Sequence, residues 1–159
     1  ERRLRVALMD YGVKENMIRC LQNRGCEVTV FPARTPAEAV LSGGFDGVML
    51  SNGPGDPADN VEIITEVRKL YESELLYAES FLHDLVLHTT GPDYRIRESI
   101  SAFAGRLSAD FFRTHRSYLV NLKAVVRIGR TSVLLRGGAE VPLARGKYDA
   151  INRAFIDRN

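Results

Sequence analysis

The stretch Phe111-Phe112-Arg113-Thr114-His115-Arg116-Ser117-Tyr118-Leu119-Val120-Asn121 places basic side chains directly before a β-rich apolar run. Such a run anchors a strand in a core, and the turn before it projects its cations into solvent. From Arg113 to Lys147 the chain has eight Arg or Lys residues, and Glu140 is the single acidic residue there. This density of positive charge predicts a polyanionic partner, for which DNA is the first candidate.

The composition is that of an ordinary globular protein, with 159 residues and 45% hydrophobic content. No apolar run approaches the roughly 18 residues that span a bilayer. The first residues, Glu1-Arg2-Arg3-Leu4-Arg5, lack the apolar core of a signal peptide. Two cysteines, Cys20 and Cys26, are too few for a disulfide framework. We therefore expect a cytoplasmic, reducing setting, with no membrane partner, no metal and no cofactor.

The net charge of +2 conceals a difference between the two halves of the chain. Residues 1–73 carry 9 Arg or Lys against 11 Asp or Glu, whereas residues 74–159 carry 13 against 9. A change of sign along the chain indicates units with different partners. We therefore predict two domains, residues 1–73 and 74–159.

The first half alternates between continuous apolar runs and segments with helical spacing. We predict a β-α-β-α-β-α order: strands at 5–10, 27–31 and 45–50, and helices at 13–23, from Thr35 onward, and at 61–71. Thr35 is expected as the N-cap of the second helix. In the third helix, Ile64, Val67 and Tyr71 form the apolar face. Such a pattern implies a partial flavodoxin-like unit with a three-stranded parallel sheet covered on both faces.

The loop after the third predicted strand is Ser51-Asn52-Gly53-Pro54-Gly55-Asp56-Pro57. Ligands of open α/β sheets bind beyond the carboxyl ends of the strands, where this loop lies. The two glycines permit close backbone approach, so the amides could cradle an anion or oxyanion. The alternative is a tight strand-to-helix turn with no ligand.

Three segments of this half resemble a known family: Asp10-Tyr11-Gly12-Val13-Lys14, Arg24-Gly25-Cys26 and the loop at 51–57. Over residues 4–72 they resemble the start of the class I glutamine amidotransferase domain of the carbamoyl-phosphate synthase small subunit. The resemblance implies that Gly53 and Gly55 lie at a glutamine site and that the amide of Gly53 helps to form an oxyanion hole.

This half differs from that family at the position of the catalytic nucleophile. The family's nucleophilic cysteine sits on a Gly-Ile-Cys-Leu-Gly-type elbow, and nothing in this sequence matches it. Cys20 and Cys26 are interpreted as packing residues, and without a nucleophile and base there is no acyl-enzyme chemistry. We therefore expect no enzyme activity, and the loop is interpreted as vestigial. A phosphoacceptor receiver domain is also rejected, because the third strand ends at Ser51-Asn52 and Asp10 stands alone.

The second half predicts short strands, hairpins and short helices. Strands are expected at 75–77 and 84–90, with 79–83 separating them, and again at 94–97, 117–122, 124–128, 132–136 and 139–143. Gly91-Pro92-Asp93 and Gly137-Gly138 are expected as hairpin turns. Helices are expected at 99–107 and 147–155.

The second half, over residues 75–157, resembles the LytTR DNA-binding domain of bacterial transcription regulators. The matching segments include Tyr77-Ala78-Glu79-Ser80, the segment 94–99, the block 112–121 and the segment 141–145. The resemblance implies a β-fold that reads DNA with loops rather than with a recognition helix.

The resemblance also assigns residues to the DNA contact. His83, Arg116 and Arg145 occupy loop positions that meet bases in the family, and Arg113 and Lys147 flank them as phosphate contacts. These residue types suit a DNA contact, because the planar guanidinium of arginine can bind guanine O6 and N7, and further cations neutralise phosphates. The competing interpretation is that each is an ordinary solvated cation. His115 and His88 are expected to be structural, with His115 packed beside Tyr118.

The sequence thus predicts α/β followed by mostly β, and sequence-specific binding of double-stranded DNA by a LytTR-type transcriptional or response regulator. A homodimer on paired half-sites is expected. Two alternatives remain: a fragment of a glutamine amidotransferase, and an artificial chimera without a natural function. Each half lacks part of its family's sheet, so we expect the halves to pack together or the chain to pair with a second copy.

Overall fold

The structure is a computed structural model that describes residues 2–53 and 60–158. Contacts between Cα atoms divide the chain into two units, residues 1–71 and 72–159. Gly55, predicted to belong to the glutamine loop, lies outside the described residues. The architecture is α/β in the first unit and mostly β in the second, as the sequence predicts.

The first unit contains a three-stranded parallel sheet in the order β2-β1-β3. Its elements are β1 (Arg5–Asp10), α1 (Glu15–Gln22), β2 (Glu27–Pro32), α2 (Ala37–Leu41), β3 (Gly47–Leu50) and α3 (Val61–Glu74), the last of which ends in the second unit. Ala7 and Met9 of β1 are buried against Val40 of α2 and Leu70 of α3. The alternation of apolar runs and helical spacing therefore predicts this sheet correctly.

Two local predictions in the first unit are wrong. Thr35 does not cap α2: its N-cap is Pro36, and the Ala37 N–H instead donates to Glu66 Oε2 at 2.7 Å. A carboxylate on α3 thus replaces the side-chain oxygen expected next in sequence. The apolar face of α3 is also shifted, because Leu70 is buried whereas Tyr71 is 44% exposed.

Within its described residues, 72–158, the second unit has two antiparallel sheets, two α-helices and a short 3-10 helix (Leu122–Ala124), and it also includes the end of α3. Its elements are β4 (Leu75–Phe81), β5 (Asp84–Thr89), β6 (Tyr94–Ile96), α4 (Ile100–Ala104), β7 (Phe111–His115), β8 (Tyr118–Asn121), β9 (Val125–Ile128), β10 (Ser132–Leu135), β11 (Glu140–Pro142) and α5 (Tyr148–Asp157). The larger sheet has the order β6-β5-β4-β8-β7, and the smaller one has the order β11-β10-β9.

β8 is an interior strand of the five-stranded sheet, and both of its faces are buried. Leu119 packs in a cluster with Ile100 and Phe103 of α4, whereas its neighbour Val120 packs in a cluster with Val133 of β10 and Ile151 of α5. Successive strand residues point to opposite faces, so the Tyr-Leu-Val-Asn run carries one core on each side. This strand fixes the turn before it relative to both cores.

Two polar side chains hold β8 and its neighbours in register. The buried Asn121 side-chain amide donates to the backbone oxygens of Glu72 (3.2 Å) and Leu75 (2.8 Å), and its oxygen accepts from the Lys123 N–H at 2.9 Å. The carboxylate of Glu72 accepts from the Ser108 N–H (2.8 Å) and hydroxyl (2.6 Å). Buried polar groups are retained when they are hydrogen-bonded in this way.

The prediction of a break between the first two strands of this unit is wrong. β4 continues through Glu79 to Phe81, and the connection to β5 is the two-residue turn Leu82–His83. β4 is hydrogen-bonded to β5 on one side and to β8 on the other, so its polar residues lie within the sheet. The turn, rather than a longer loop, therefore carries His83.

Candidate nucleic-acid interface

Several turns of the second unit meet at one end of its five-stranded sheet. Because neighbouring strands are antiparallel, the ends of β4, β6 and β7 lie beside the starts of β5 and β8. The Ser80 N–H donates to the Ser117 oxygen at 2.8 Å, which joins the end of β4 to the turn Arg116–Ser117. The turn Leu82–His83 follows β4 at this same end.

The connection between β11 and α5 reaches the same place. The Ala144 N–H donates to the Thr114 oxygen at 2.9 Å, beside the end of β7. Arg145 is therefore attached next to the turn that carries Arg116. We call this end of the sheet the loop end. It comprises Leu82–His83, Arg116–Ser117, Ala144–Gly146 and Arg97.

Arg116 and Arg145 are exposed, and their guanidinium groups make no hydrogen bond or ion pair within the described residues. Two unneutralised cations on adjacent turns create a local positive potential. An arginine without an internal partner keeps all five donors available for a ligand. The two residues thus lie at the same end of the five-stranded sheet, and both are exposed.

Arg113 and Lys147 behave differently, because their polar groups are bound within the chain. The Arg113 guanidinium donates to Ser101 Oγ at 2.7 Å and to the Arg116 oxygen at 2.5 Å. Lys147 Nζ donates to the Arg113 oxygen at 3.0 Å and lies 5.3 Å from the ring centroid of Phe112. Both are half-buried. Together they tie α4, β7 and the start of α5 to the turn of Arg116.

His83 is exposed at the second position of the turn between β4 and β5. The residue before it, Leu82, has a backbone φ of 56° and is 84% exposed. His83 therefore projects from a short turn held by two strands.

Sequence reasoning did not single out Arg97 as a site residue. Strand pairing of Leu85 with Ile96 puts Arg97 opposite Asp84 and next to His83. It is exposed, and no partner of its guanidinium is found in the part of the chain that the structure describes. The expected hairpin turn at 91–93 is the signal that could have located it. If the two strands on either side of that turn are paired outward from it, Arg97 falls near the start of β5, beside His83.

A polar network lies behind the turn of Arg116. The Tyr118 hydroxyl donates to Glu79 Oε1, and this hydrogen bond, followed by burial, raises the pKa of Tyr118 to about 12. His88 Nδ1 lies 2.8 Å from Asp93 Oδ2, and the His88 ring stacks on Tyr77 with 4.1 Å between centroids. His88 is therefore a packing residue, as expected.

His115 also has the structural role expected of it. Its Nδ1 accepts from the Ser117 N–H at 3.3 Å, and its ring lies 6.0 Å from that of Tyr118 between centroids. The side chain thus stabilises the turn of Arg116 from within.

The predicted glutamine loop of the first unit is described only as far as Gly53. A Cβ added at Gly53 would lie 3.1 Å from the Tyr11 oxygen, so the close approach of the two segments favours glycine. Ser51 Oγ accepts from the Tyr11 N–H at 2.9 Å. Cys20 lies in α1 and is exposed, so its interpretation as a packing residue is wrong, whereas Cys26 is half-buried just before β2.

Two kinds of site are not seen in the described ranges. Among residues 2–53 and 60–158, no group of three or more His, Cys, Asp and Glu side chains is arranged to hold a metal ion. No helix in these ranges is both long and apolar enough to cross a membrane.

Comparison with protein families gives two matches, which overlap at residues 65–75. The model of the LytTr DNA-binding domain matches residues 65–156, and that of class-I glutamine amidotransferase matches residues 7–75. A solved LytTr DNA-binding domain from Bacillus cereus is 22% identical, with a TM-score of 0.48, and the match covers 54% of this chain and 83% of that one.

Curated relatives match the first half. The carbamoyl phosphate synthase small chain of Acinetobacter baylyi is 52% identical over 73 residues, which are 46% of this chain and 19% of the relative. The corresponding protein of Yersinia pseudotuberculosis is 50% identical over 70 residues, 44% of this chain and 18% of the relative. The chain therefore spans about a fifth of the length of these relatives.

Proposed function

The chain belongs to the family of LytTr DNA-binding domains, whose model matches residues 65–156, and on this premise we propose that it binds a specific sequence of double-stranded DNA with its loop end. The observation that carries the proposal is the joining of the turns of Arg116 and Arg145 through the Ala144–Thr114 hydrogen bond of 2.9 Å. Two arginines that are exposed, and that have no partner in the described ranges 2–53 and 60–158, lie on adjacent turns and form a surface that a nucleic acid can contact at two points.

The basic residues have different roles in this proposed contact. Arg116 and Arg145 contact base edges, since a free guanidinium can bind guanine O6 and N7 in bidentate fashion. His83 is a third base contact, on the neighbouring turn. Arg97 neutralises a phosphate beside it. Arg113 and Lys147 hold the turns in place, and any phosphate contact they make uses the capacity left over from their internal hydrogen bonds.

The test is selection of bound duplexes from a random pool, followed by affinity measurements on the selected site. Arg116→Ala and Arg145→Ala are each expected to weaken specific binding by about 1–3 kcal/mol and to relax the preference at one base pair. Arg136→Ala is the matched control, because Arg136 is also exposed but precedes the turn at the opposite end of β11. Wild-type affinity in both loop-end variants would contradict the proposal.

We also propose that the protein acts as a transcriptional regulator, with two copies on paired half-sites. A single loop end covers few base pairs, and a two-fold pair would double the contacts without new chemistry. The stoichiometry on duplexes with one or two half-sites tests this. One copy per duplex on a two-half-site probe at saturation would contradict it.

For the first unit we propose that glutamine is not hydrolysed. The support is the sequence, which has no cysteine elbow of the amidotransferase type. The competing proposal, a glutamine amidotransferase fragment, is favoured by the match of residues 7–75. Ammonia release from glutamine above the buffer rate, abolished by Cys20→Ser or Cys26→Ser, would support that competitor.

A further inference from the structure

The tip of the turn between β4 and β5 carries an exposed apolar side chain. Leu82 is 84% exposed, and Phe81 before it is 54% exposed. Leu82 is also the sole residue other than glycine with a positive φ, at 56°, within residues 2–53 and 60–158. Its side chain therefore lies in solvent on a backbone conformation that side chains disfavour.

This conformation is one that glycine adopts more readily. A positive φ at the first of two turn positions, and not at the second, is the pattern of a type II′ hairpin turn, in which glycine is preferred. The leucine side chain buries little in the fold to offset the strain. Strain of this kind at a loop tip points to a role outside the fold.

The surroundings of Leu82 identify the class of partner. His83 follows it, Arg97 lies beside the same turn, and the turn of Arg116 is joined to β4 by the Ser80–Ser117 hydrogen bond. An apolar tip among cations is complementary to a surface that offers both phosphates and an apolar group. In double-stranded DNA, that apolar group is the C5 methyl of thymine in the major groove.

We propose that Leu82 contacts a thymine methyl group next to the base read by His83, and so selects thymine at one position of the binding site. The inference rests on the proposed DNA-binding function of the loop end. It adds an apolar specificity contact to the polar ones.

The experiment compares the full chain with its Leu82→Gly and Leu82→Asn variants on the selected duplex. Glycine and asparagine suit the positive φ, so both variants are expected to fold with unchanged or raised melting temperature. Each thymine is replaced in turn by deoxyuridine, which lacks only the methyl group. Wild type is expected to lose about fourfold in affinity at one position, the value of one buried methyl group. The variants are expected to bind the thymine and deoxyuridine duplexes equally.

The outcomes separate this inference from the proposed function. Equal deoxyuridine sensitivity in wild type and both variants, or no sensitive position in wild type, would overturn the contact while leaving specific binding intact. Failure of wild type to select any duplex would overturn the proposed function and this inference with it.

Discussion

At the scale of single residues, the second unit has two kinds of arginine. Arg116 and Arg145 are exposed and unpaired among the described residues, whereas Arg113 is half-buried and donates to Ser101 and to the Arg116 oxygen. The sequence predicts a basic cluster but not this division, because the orientation of Arg113 depends on Ser101 of α4, twelve residues earlier. We therefore expect the arginines to separate in two measurements, stability and affinity.

Arg113→Ala is expected to lower the free energy of unfolding by about 1–2 kcal/mol, since it removes charged hydrogen bonds that hold a turn. Arg145→Ala is expected to change it by less than about 0.5 kcal/mol, as for most exposed positions. Urea denaturation of both variants measures the difference. Equal stability of the two would show that the internal hydrogen bonds of Arg113 contribute little.

Tyr118 gives a prediction for alkaline pH. Its hydrogen bond to Glu79 raises its pKa from 10.0 to about 12. A raised folded-state pKa gives stability that is fully present below the unfolded pKa and is lost as the pH rises through the folded one. The unfolding free energy of wild type is therefore expected to fall relative to that of Tyr118→Phe between about pH 10 and 12. Urea denaturation across this range measures it, with Tyr94→Phe as an exposed control; parallel curves for wild type and Tyr118→Phe would contradict it.

At the scale of elements, the turns of the second unit follow from local sequence better than the strand lengths do. Gly137-Gly138 marks the hairpin between β10 and β11, as predicted, and both glycines have positive φ. Local sequence does not predict the length of β4, because its polar residues Glu79 and Ser80 lie in a strand that pairs with a neighbour on both sides. It does not predict the N-terminus of α2 either, because the hydrogen-bond acceptor there, Glu66, is 29 residues away. Local patterns identify turns, whereas distant partners decide how far an element extends.

Gly138→Ala tests the hairpin between β10 and β11. Gly138 has a φ of 86°, and an added Cβ would meet nothing within 4 Å, so the cost is the backbone conformation alone. We expect a loss of about 1–2 kcal/mol in the free energy of unfolding. Gly91→Ala is the control, in the hairpin between β5 and β6, where no positive φ is required and the nearest atom to a Cβ is 3.8 Å away. A control that is equally destabilised would mean that φ is not the cause.

At the scale of the whole molecule, the chain joins segments with different family matches, residues 7–75 and 65–156. Motif spacing predicts both fold classes, because each depends on regular alternation and on specific loop sequences. The expected pairing of the units with each other, or with a second copy, stays a prediction. The partner of the molecule should depend on the second unit, where positive charge is concentrated.

The salt dependence of DNA binding measures how many positive charges of the protein contact phosphates. Arg97→Ala is expected to weaken binding to specific and random duplexes alike and to lower the slope of log affinity against log salt by about 1, the effect of one phosphate contact. Arg116→Ala should instead weaken the specific duplex more than the random one. Titrations at several salt concentrations measure both slopes. An unchanged slope in Arg97→Ala would remove Arg97 from the interface.

The burial of Glu72 has a consequence for where the protein can be cut. Its carboxylate holds Ser108, and its backbone oxygen holds Asn121, although it belongs to the last turn of α3. A protease that cleaves α3 before Glu72 would release a fragment with these hydrogen bonds preserved. Cleavage after Glu72 would strip the acceptor from Ser108 and one acceptor from Asn121, so that fragment should be degraded further.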